Sequence, residues 1–326
     1  MMKSRLRCIF FSALCLGVIG AAIPPATGQT YPARPIRLIV PYPPGGAADA
    51  TARILWPRIG DVLGQQIVID NRGGASGIIG ADIVAKSAAD GYTLLHDASA
   101  FTVNPALRKL PFDPLKDLMP VAMLMRTPNM LVVHPSVPVT TTRDLIELAK
   151  AQPGRVTYAS SGFGSAPHMA GELFQYVTKV RMSHVPYKGG GLAYVDLLGG
   201  HVQLFFGSIA SALPHVQGNK LKGIALTAAK RSASAPQIPT MAESGVQGVE
   251  VYEWNGLYVP ANTAQAIITK LNTEVNRMLG NGDVQQRFFQ LGAEAVPMTP
   301  ADLTHYVRGE IARWSKTVKE MGIKGE

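Results

Sequence analysis

The chain has 326 residues, of which 47% are hydrophobic and 16% charged, and its formal net charge is +9. This length suits about two domains of roughly 150 residues each, and the apolar content can form two cores, which excludes a disordered chain. The 33 Gly and 24 Pro residues follow no period, which excludes collagen-like and low-complexity structures.

A signal peptide is predicted over residues 1–28. A basic stretch at 3–7 precedes an apolar run at 8–23, which is too short for a membrane anchor, and small residues follow it. Cleavage removes three basic groups and no acidic ones, so the total of +9 falls to a mild +6. It also removes both cysteines, Cys8 and Cys15, which excludes disulfides, thiolate metal sites and cysteine nucleophiles. Export without disulfides indicates a Gram-negative periplasm.

Strand and helix patterns alternate after the signal. Strands are predicted at 36–40, 66–70, 93–95, 130–133, 156–158, 202–206 and 221–227. Helices are predicted at 48–63, 78–88, 142–151, 167–178 and 189–198, followed by two amphipathic helices near the C-terminus. This βαβ order predicts a parallel, doubly wound α/β sheet. Crossovers between two domains are expected near 133–138 and 253–256.

The first loop with functional potential, loop one, covers residues 41–49. It joins the carboxyl end of a strand to a helix, the edge at which open α/β sheets bind ligands. Gly45 and Gly46 let the backbone approach a ligand, and the helix start favours a small anion. No lysine follows as in a phosphate-binding loop, so nucleotide binding is disfavoured. Loop one could also be a simple turn, and Asp49 could either cap the helix or contact a ligand.

The second such loop, loop two, covers residues 160–165 and also joins a strand to a helix. It offers hydroxyl groups and free amides for binding. An alternative makes Ser161 or Ser165 a nucleophile with His168 as its base. Two observations oppose this hydrolase: the G-x-S-x-G elbow is absent, and no acid is identifiable that would orient His168.

The remaining motifs predict no further chemistry. Lys188, in the Gly-rich segment 187–191, could attract an anion or be a solvated surface lysine. The histidines lack metal-site spacing, so neither a metal nor a cofactor is predicted. Basic residues are scattered and aromatic residues sparse, so nucleic-acid binding has no support.

Eight stretches in one order resemble a known family. They are PYPPGGAAD (41–49), VIDNRGGASG (68–77), DGYTLL (90–95), YASSGFGSAPH (158–168), YKGGG (187–191), DLLGG (196–200), IPTMAESG (238–245) and WNGL (254–257). Together they span about residues 30–322. In this order after a signal peptide, they resemble the periplasmic solute-binding receptors of tripartite tricarboxylate transporters, the Bug family.

The resemblance implies a type II periplasmic-binding-protein fold, in which two doubly wound α/β lobes surround a ligand cleft and close like a flytrap. Lobe 1 would comprise residues 30–134 and 254–326, and lobe 2 residues 135–253. The protein would be a monomeric periplasmic receptor and not an enzyme. It would deliver a small organic carboxylate to integral-membrane permease subunits. A secreted Ser/His hydrolase and an orphan receptor that feeds a signalling sensor remain the alternatives.

The resemblance also implies ligand contacts, with one carboxylate held by amides of loop one and by loop two from the other lobe. The implied contacts are Tyr42, Pro44, Gly45, Gly46, Ala47, Ala48, Asp49, Ser161, Gly164, Ser165 and His168, with Ala75, Ser76 and Ser99 on the same rim. Some positions that would line or support the cleft depart from the family pattern. Ala47 stands where a serine is common, Leu192 and Gln203 replace a common proline and aspartate, and Gly207 and Ser208 follow Phe206 where a polar or acidic residue is frequent. The identity of the ligand is therefore not carried over.

Overall fold

Strands and helices alternate along residues 31–325, which the computed structural model describes; the predicted signal peptide lies outside these residues. The strands are β1 (Ile36–Val40), β2 (Ile67–Asn71), β3 (Thr93–Ala98), β4 (Leu118–Val133), β5 (Thr157–Ser160), β6 (Ser183–Pro186), β7 (Leu204–Ser208), β8 (Lys222–Leu226), β9 (Tyr252–Pro260) and β10 (Glu294–Ala295). The helices are α1 (Ala47–Leu63), α2 (Ile78–Ala85), α3 (Ala100–Leu107), α4 (Thr142–Ala151), α5 (Ala166–Thr178), α6 (Gly190–Leu198), α7 (Ile209–Gln217), α8 (Gln265–Leu279), α9 (Gly282–Gln290) and α10 (Pro300–Met321). A short 3₁₀ turn at Ala75–Gly77, called the Ser76 turn below, precedes α2.

The sheet has two parallel parts joined by long antiparallel strands. Its order is β2-β1-β3-β9-β4-β7-β5-β6. Strand β1 pairs in parallel with β2 and β3, and β5 pairs in parallel with β6 and β7. The doubly wound prediction is confirmed in both parts, because a helix connects each successive pair of parallel strands.

Strand β4 passes from one part of the sheet to the other. Up to Pro128 it pairs with β9, and from Asn129 onward it pairs with β7 and β8. The change of partner lies upstream of the crossover expected at 133–138, whereas the return expected at 253–256 falls within β9.

Apolar clusters of buried residues fill the interior of residues 31–325, among them the following three. The first lies under α2 and the N-terminal half of α10, and includes Leu303 and Val307. The second lies under α4 and α5 and includes Trp314 and Val318 from the C-terminal half of α10. The third lies under α6 and α7. Helix α10 thus packs against both parts of the sheet. Within residues 31–325, no helix has the length and apolarity needed to cross a membrane.

Candidate functional site

Loop one places the start of α1 at the carboxyl edge of the sheet. Gly46 is the N-cap residue of α1 and has no side chain to cap it. Gly45 has φ of +84°, a left-handed conformation that favours glycine. The first backbone amides of a helix have no acceptor within the helix. The amides at the start of α1 are therefore available to an outside acceptor.

Asp49 holds loop one in this shape. Its carboxylate accepts hydrogen bonds from the Gly45 amide (3.0 Å), the Arg53 Nε (2.9 Å) and the Asn71 Nδ2 (3.0 Å). The residue is 2% exposed. Burial raises the pKa of Asp49, but these three hydrogen bonds together bring it below its usual value. Neither predicted role describes this arrangement fully: Gly46 is the cap, and Asp49 braces the loop from inside the first turn.

A cavity of about 50 Å³ separates the starts of α1 and α7. Strand β4 forms its floor, and the segment after α9 closes one side. Its lining residues are Gly45, Gly46, Ala47, Ala50, Thr51, Met125, Thr127, Ser208, Ala210, Ser211, Leu291 and Ala293. None of them carries a charge, so an anion here would be held by backbone amides, hydroxyl groups and the partial positive charge of the helix starts.

Helix capping differs between this edge and the rest of the molecule. The N-cap side chains of Thr141, Asn281 and Thr299 bond amides of α4, α9 and α10. The N-cap residues of α3, α5 and α7 are serines, yet none of the three hydroxyl groups caps its helix. Of these, the Ser208 hydroxyl is buried and has no hydrogen-bond partner within the described part of the chain. The N-cap hydroxyl group at the start of α7 thus stays open.

Loop two contacts the Ser76 turn rather than loop one. The Ser76 hydroxyl donates to the Phe163 carbonyl (2.7 Å). The Asn104 amide, on α3, donates to the Ser76 carbonyl (3.0 Å) and lies beside Gly164. These contacts connect the two parts of the sheet.

The hydroxyl and imidazole of loop two are engaged within the loop. The Ser165 hydroxyl donates to the Gly162 carbonyl (2.6 Å), and His168 Nδ1 accepts the Gly164 amide (3.1 Å). His168 is only 2% exposed, so it supports the loop from beneath. Ser161 lies on the partly exposed side of the loop.

The imidazoles below loop two are neutral. The His168 ring lies 4.3 Å from that of His184 and 4.6 Å from that of Phe163. Burial lowers the pKa of His168 to about 3 and that of His184 to about 4. The serine that contacts an imidazole here is Ser160, whose hydroxyl lies 2.6 Å from His184 Nε2. Ser160 is fully buried and also accepts the Gly162 amide, so it is not placed to attack a substrate.

Two buried carboxyl groups lie below loop one, and sequence reasoning missed both. The Tyr42 hydroxyl donates to Asp97 (2.8 Å), and burial raises the pKa of Asp97 to about 7. Burial also raises the pKa of Glu253 to about 7, with nearby Asp97 as a further cause, although hydrogen bonds from Ser99 act in the opposite direction. Neither residue belongs to a motif with a chemical signature, so only the fold identifies them.

The cavity floor was missed in part. Thr127 lies on β4, in a segment without polar periodicity, and was not predicted, whereas Ser208, which follows Gly207, was expected to line or support the cleft. Of the predicted site residues, Gly45, Gly46 and Ala47 line the cavity, whereas Ser161, Gly164, Ser165 and His168 lie with the Ser76 turn. Residues 31–325 hold no group of three or more His, Cys, Asp or Glu side chains that could bind a metal.

A sheet with two parallel parts joined by long antiparallel strands, with uncapped helix starts around a cavity, is the architecture of a periplasmic binding protein. The model of the tripartite tricarboxylate transporter family receptor matches residues 51–323. Protein BugT of Bordetella pertussis is 41% identical over 303 residues, which cover 92% of this chain and 93% of BugT.

Solved structures agree with this class. Rpa4515 of R. palustris, with adipate, has a TM-score of 0.87 at 38% identity and covers 91% of this chain and 100% of its own. MatC (Rpa3494) from Rhodopseudomonas palustris, with bound malate, has a TM-score of 0.82 at 32% identity and covers 88% of this chain and 100% of its own. The chain belongs to the tripartite tricarboxylate transporter receptor family, and the predicted fold and family are confirmed.

Proposed function

We propose that this protein is a periplasmic receptor that captures a small organic carboxylate and delivers it to the permease of a tripartite transporter. The observation that carries the proposal is the uncapped start of α1, whose residues Gly46 and Ala47 line an uncharged cavity. Free amides and a helix dipole suit a carboxylate, and two related structures contain adipate and malate. The receptor acts as a monomer, and two lobes that hinge at β4 and β9 close on the ligand.

We assign three roles among the predicted contact residues. Gly45, Gly46, Ala47 and Ala48 form the surface that meets the carboxylate, and Pro44 stiffens it. Tyr42 and Asp49 support that surface from below. Loop two, with Ser161, Gly164, Ser165 and His168, forms with Ala75 and Ser76 the contact between the lobes, and Ser99 lies at the start of α3.

The serine hydrolase has little support from the geometry. A nucleophilic serine needs a base within hydrogen-bond reach. The Ser165 hydroxyl instead donates to the Gly162 carbonyl, and His168 Nδ1 is occupied by an amide. We therefore propose binding without turnover.

A thermal-shift screen against adipate, malate and other small acids tests this function. Ligand at 100 times its dissociation constant adds about 2.7 kcal/mol to the free energy of unfolding. Gly46→Val should fold normally, since a Cβ at Gly46 meets only the Pro43 carbonyl within 4 Å, at 3.7 Å. The valine should nevertheless cover the amides at the start of α1 and abolish the ligand-induced rise in melting temperature. Gly282→Val, at the start of α9 and with open space around it, is the matched control and should keep the shift.

If no carboxylate raises the melting temperature of the parent protein, the proposal is wrong. Hydrolysis of an ester by the parent, lost in Ser165→Ala, would restore the enzyme alternative.

A further inference from the structure

We infer that the Ser76 turn is a strained latch between the two lobes, and that it sets the affinity for every ligand by controlling how often the empty receptor is closed. This rests on the proposed function, because it requires lobes that close on a ligand. The turn follows β2 in the first part of the sheet, whereas loop two follows β5 in the second part. The bond from the Ser76 hydroxyl to the Phe163 carbonyl (2.7 Å) therefore joins the lobes, at a place that does not line the cavity.

The backbone of the turn has an unfavourable conformation. Gly74, Ala75, Ser76 and Gly77 have φ of +142°, +46°, +52° and +96°. Glycine adopts such angles freely, but in Ala75 and Ser76 the Cβ atom is crowded against the backbone. Strain of this kind persists only where surrounding contacts impose it, and it is common in segments that switch between conformations. The contacts around Ala75 and Ser76 must therefore hold the turn in this shape.

Loop two and α3 supply these contacts. The Asn104 amide on α3 donates to the Ser76 carbonyl (3.0 Å), and the Ser76 hydroxyl donates to loop two. Gly162 and Gly164 let loop two come this close. A Cβ at Gly162 would lie 3.4 Å from the Ser76 hydroxyl oxygen, and one at Gly164 would lie 3.3 Å from Asn104 Oδ1. Part of what imposes the strain is therefore lost when loop two moves away.

The turn also packs against loop one. A Cβ at Gly77 would lie 3.0 Å from the Tyr42 hydroxyl oxygen and 3.1 Å from Asp97 Oδ1. Tyr42 belongs to loop one and donates to Asp97 (2.8 Å). A change in the shape of the turn thus reaches the base of the loop that is proposed to hold the carboxylate.

Two opposing effects follow from this geometry. The hydrogen bond of Ser76 favours closed lobes, whereas the strain at Ala75 and Ser76 favours open ones, because the turn relaxes when loop two leaves. This balance keeps the empty receptor from staying shut and lets the ligand decide. The apparent dissociation constant equals the intrinsic one divided by the closed fraction, so the latch changes the affinity for all ligands by one factor.

Two neighbouring substitutions should have opposite effects on closure. Ser76→Ala removes the hydroxyl and keeps the strain, so the ratio of closed to open receptor should fall about three- to tenfold, the effect of one hydrogen bond. Ala75 is exposed, so Ala75→Gly removes only a surface methyl group. It relieves the strain, and the ratio should rise about two- to fivefold. Spin labels on Val62→Cys in α1 and Val195→Cys in α6, both exposed positions, measure the distance between the lobes without ligand.

Titration calorimetry with malate and adipate gives the second readout. Each variant should change the affinity for both acids by the same factor, in proportion to its closed fraction. Ser87→Ala removes a bond of the same length (2.7 Å) inside the first lobe and is the control for Ser76→Ala. Lys179→Gly relieves a φ of +57° at the end of α5 and is the control for Ala75→Gly. Neither control should change the lobe distance or the affinities.

Three results would overturn the inference and leave the proposed function intact. The first is one distance distribution for the empty parent and both variants, and the second is a shift of the same sign in both variants. The third is a ratio of malate to adipate affinity that Ser76→Ala alters, because Ser76 would then contact the ligand. Binding of no carboxylate by the parent would overturn the proposed function, and the inference with it, since the latch would control no binding.

Discussion

Replacing Asp49 by asparagine tests how loop one is held. The carboxylate accepts from Gly45 and Arg53 through one oxygen and from Asn71 through the other. An amide has a single oxygen, so its NH₂ group must face one of these donors. Asn71 cannot present its own oxygen without losing the bond from its Nδ2 to the Tyr42 carbonyl (3.0 Å).

The expected cost follows from these contacts. Hydrogen bonds to a charged group contribute about 1.5–3 kcal/mol each, and Asp49→Asn weakens or removes one or two of them, so we expect a loss of about 2–4 kcal/mol. In a chain of this size, each kcal/mol lost lowers the melting temperature by about 2 °C, so we expect a decrease of roughly 4–8 °C. Ligand affinity should fall as well, because Gly45 loses its anchor.

The sign of the pH dependence gives a second check. The pKa of Asp49 is lower in the folded state than in the unfolded state. The ionised carboxylate therefore stabilises the fold fully above the unfolded pKa of about 4, and this contribution is lost as the pH falls. The difference in melting temperature between the parent and Asp49→Asn should therefore be largest near pH 7 and should shrink below about pH 4. Thermal unfolding at a series of pH values measures it.

Arg53→Ala is the control for the ion pair alone. The Arg53 side chain is 56% exposed, so its removal should cost at most about 1 kcal/mol. The reasoning is refuted if Asp49→Asn keeps the parent melting temperature and loses only ligand affinity, because Asp49 would then contact the ligand and not the loop.

Two further changes probe the interior of the molecule. Asp97→Asn removes a carboxyl whose pKa rises from 3.8 to about 7 in the folded state, where the ionised form is disfavoured. The stability advantage of the variant over the parent in thermal unfolding should therefore grow from pH 5 to pH 8, by at most about 3 kcal/mol, and a constant difference would contradict this. Gly171→Ala would place a Cβ 2.3 Å from the Tyr158 ring, so it should destabilise the protein by about 1–3 kcal/mol in denaturant unfolding. Gly309 is exposed in α10 and has open space around it, so Gly309→Ala should stabilise the protein by about 0.5–1 kcal/mol in the same measurement. Equal effects of these two glycine changes would show that the Tyr158 contact does not limit packing.

Local signals predicted much of the fold. Helix α4 has the bounds that its pattern predicts, and α10 begins and ends at Thr299 and Gly322 as its capping residues indicate. These features depend on neighbouring residues, so the sequence alone contains them. The position of loop one is predictable for the same reason, because a strand, two glycines and a helix follow one another directly.

The missed elements contain residues that usually end regular structure. Strand β4 begins at Leu118, but Pro120 and Pro128 interrupt the strand pattern of the sequence over its first two thirds. Helices α3 and α7 contain Pro105 and Pro214 and were not predicted. Burial against the rest of the molecule overrides these local preferences, and no short window of sequence can show that burial.

The candidate site depends still more on the tertiary fold. Loop two looks like a natural partner of loop one, since both follow parallel strands with glycines and serines. In the sheet order, β7 lies next to β4 and β5 lies one strand further away. The start of α7 therefore lines the cavity together with loop one.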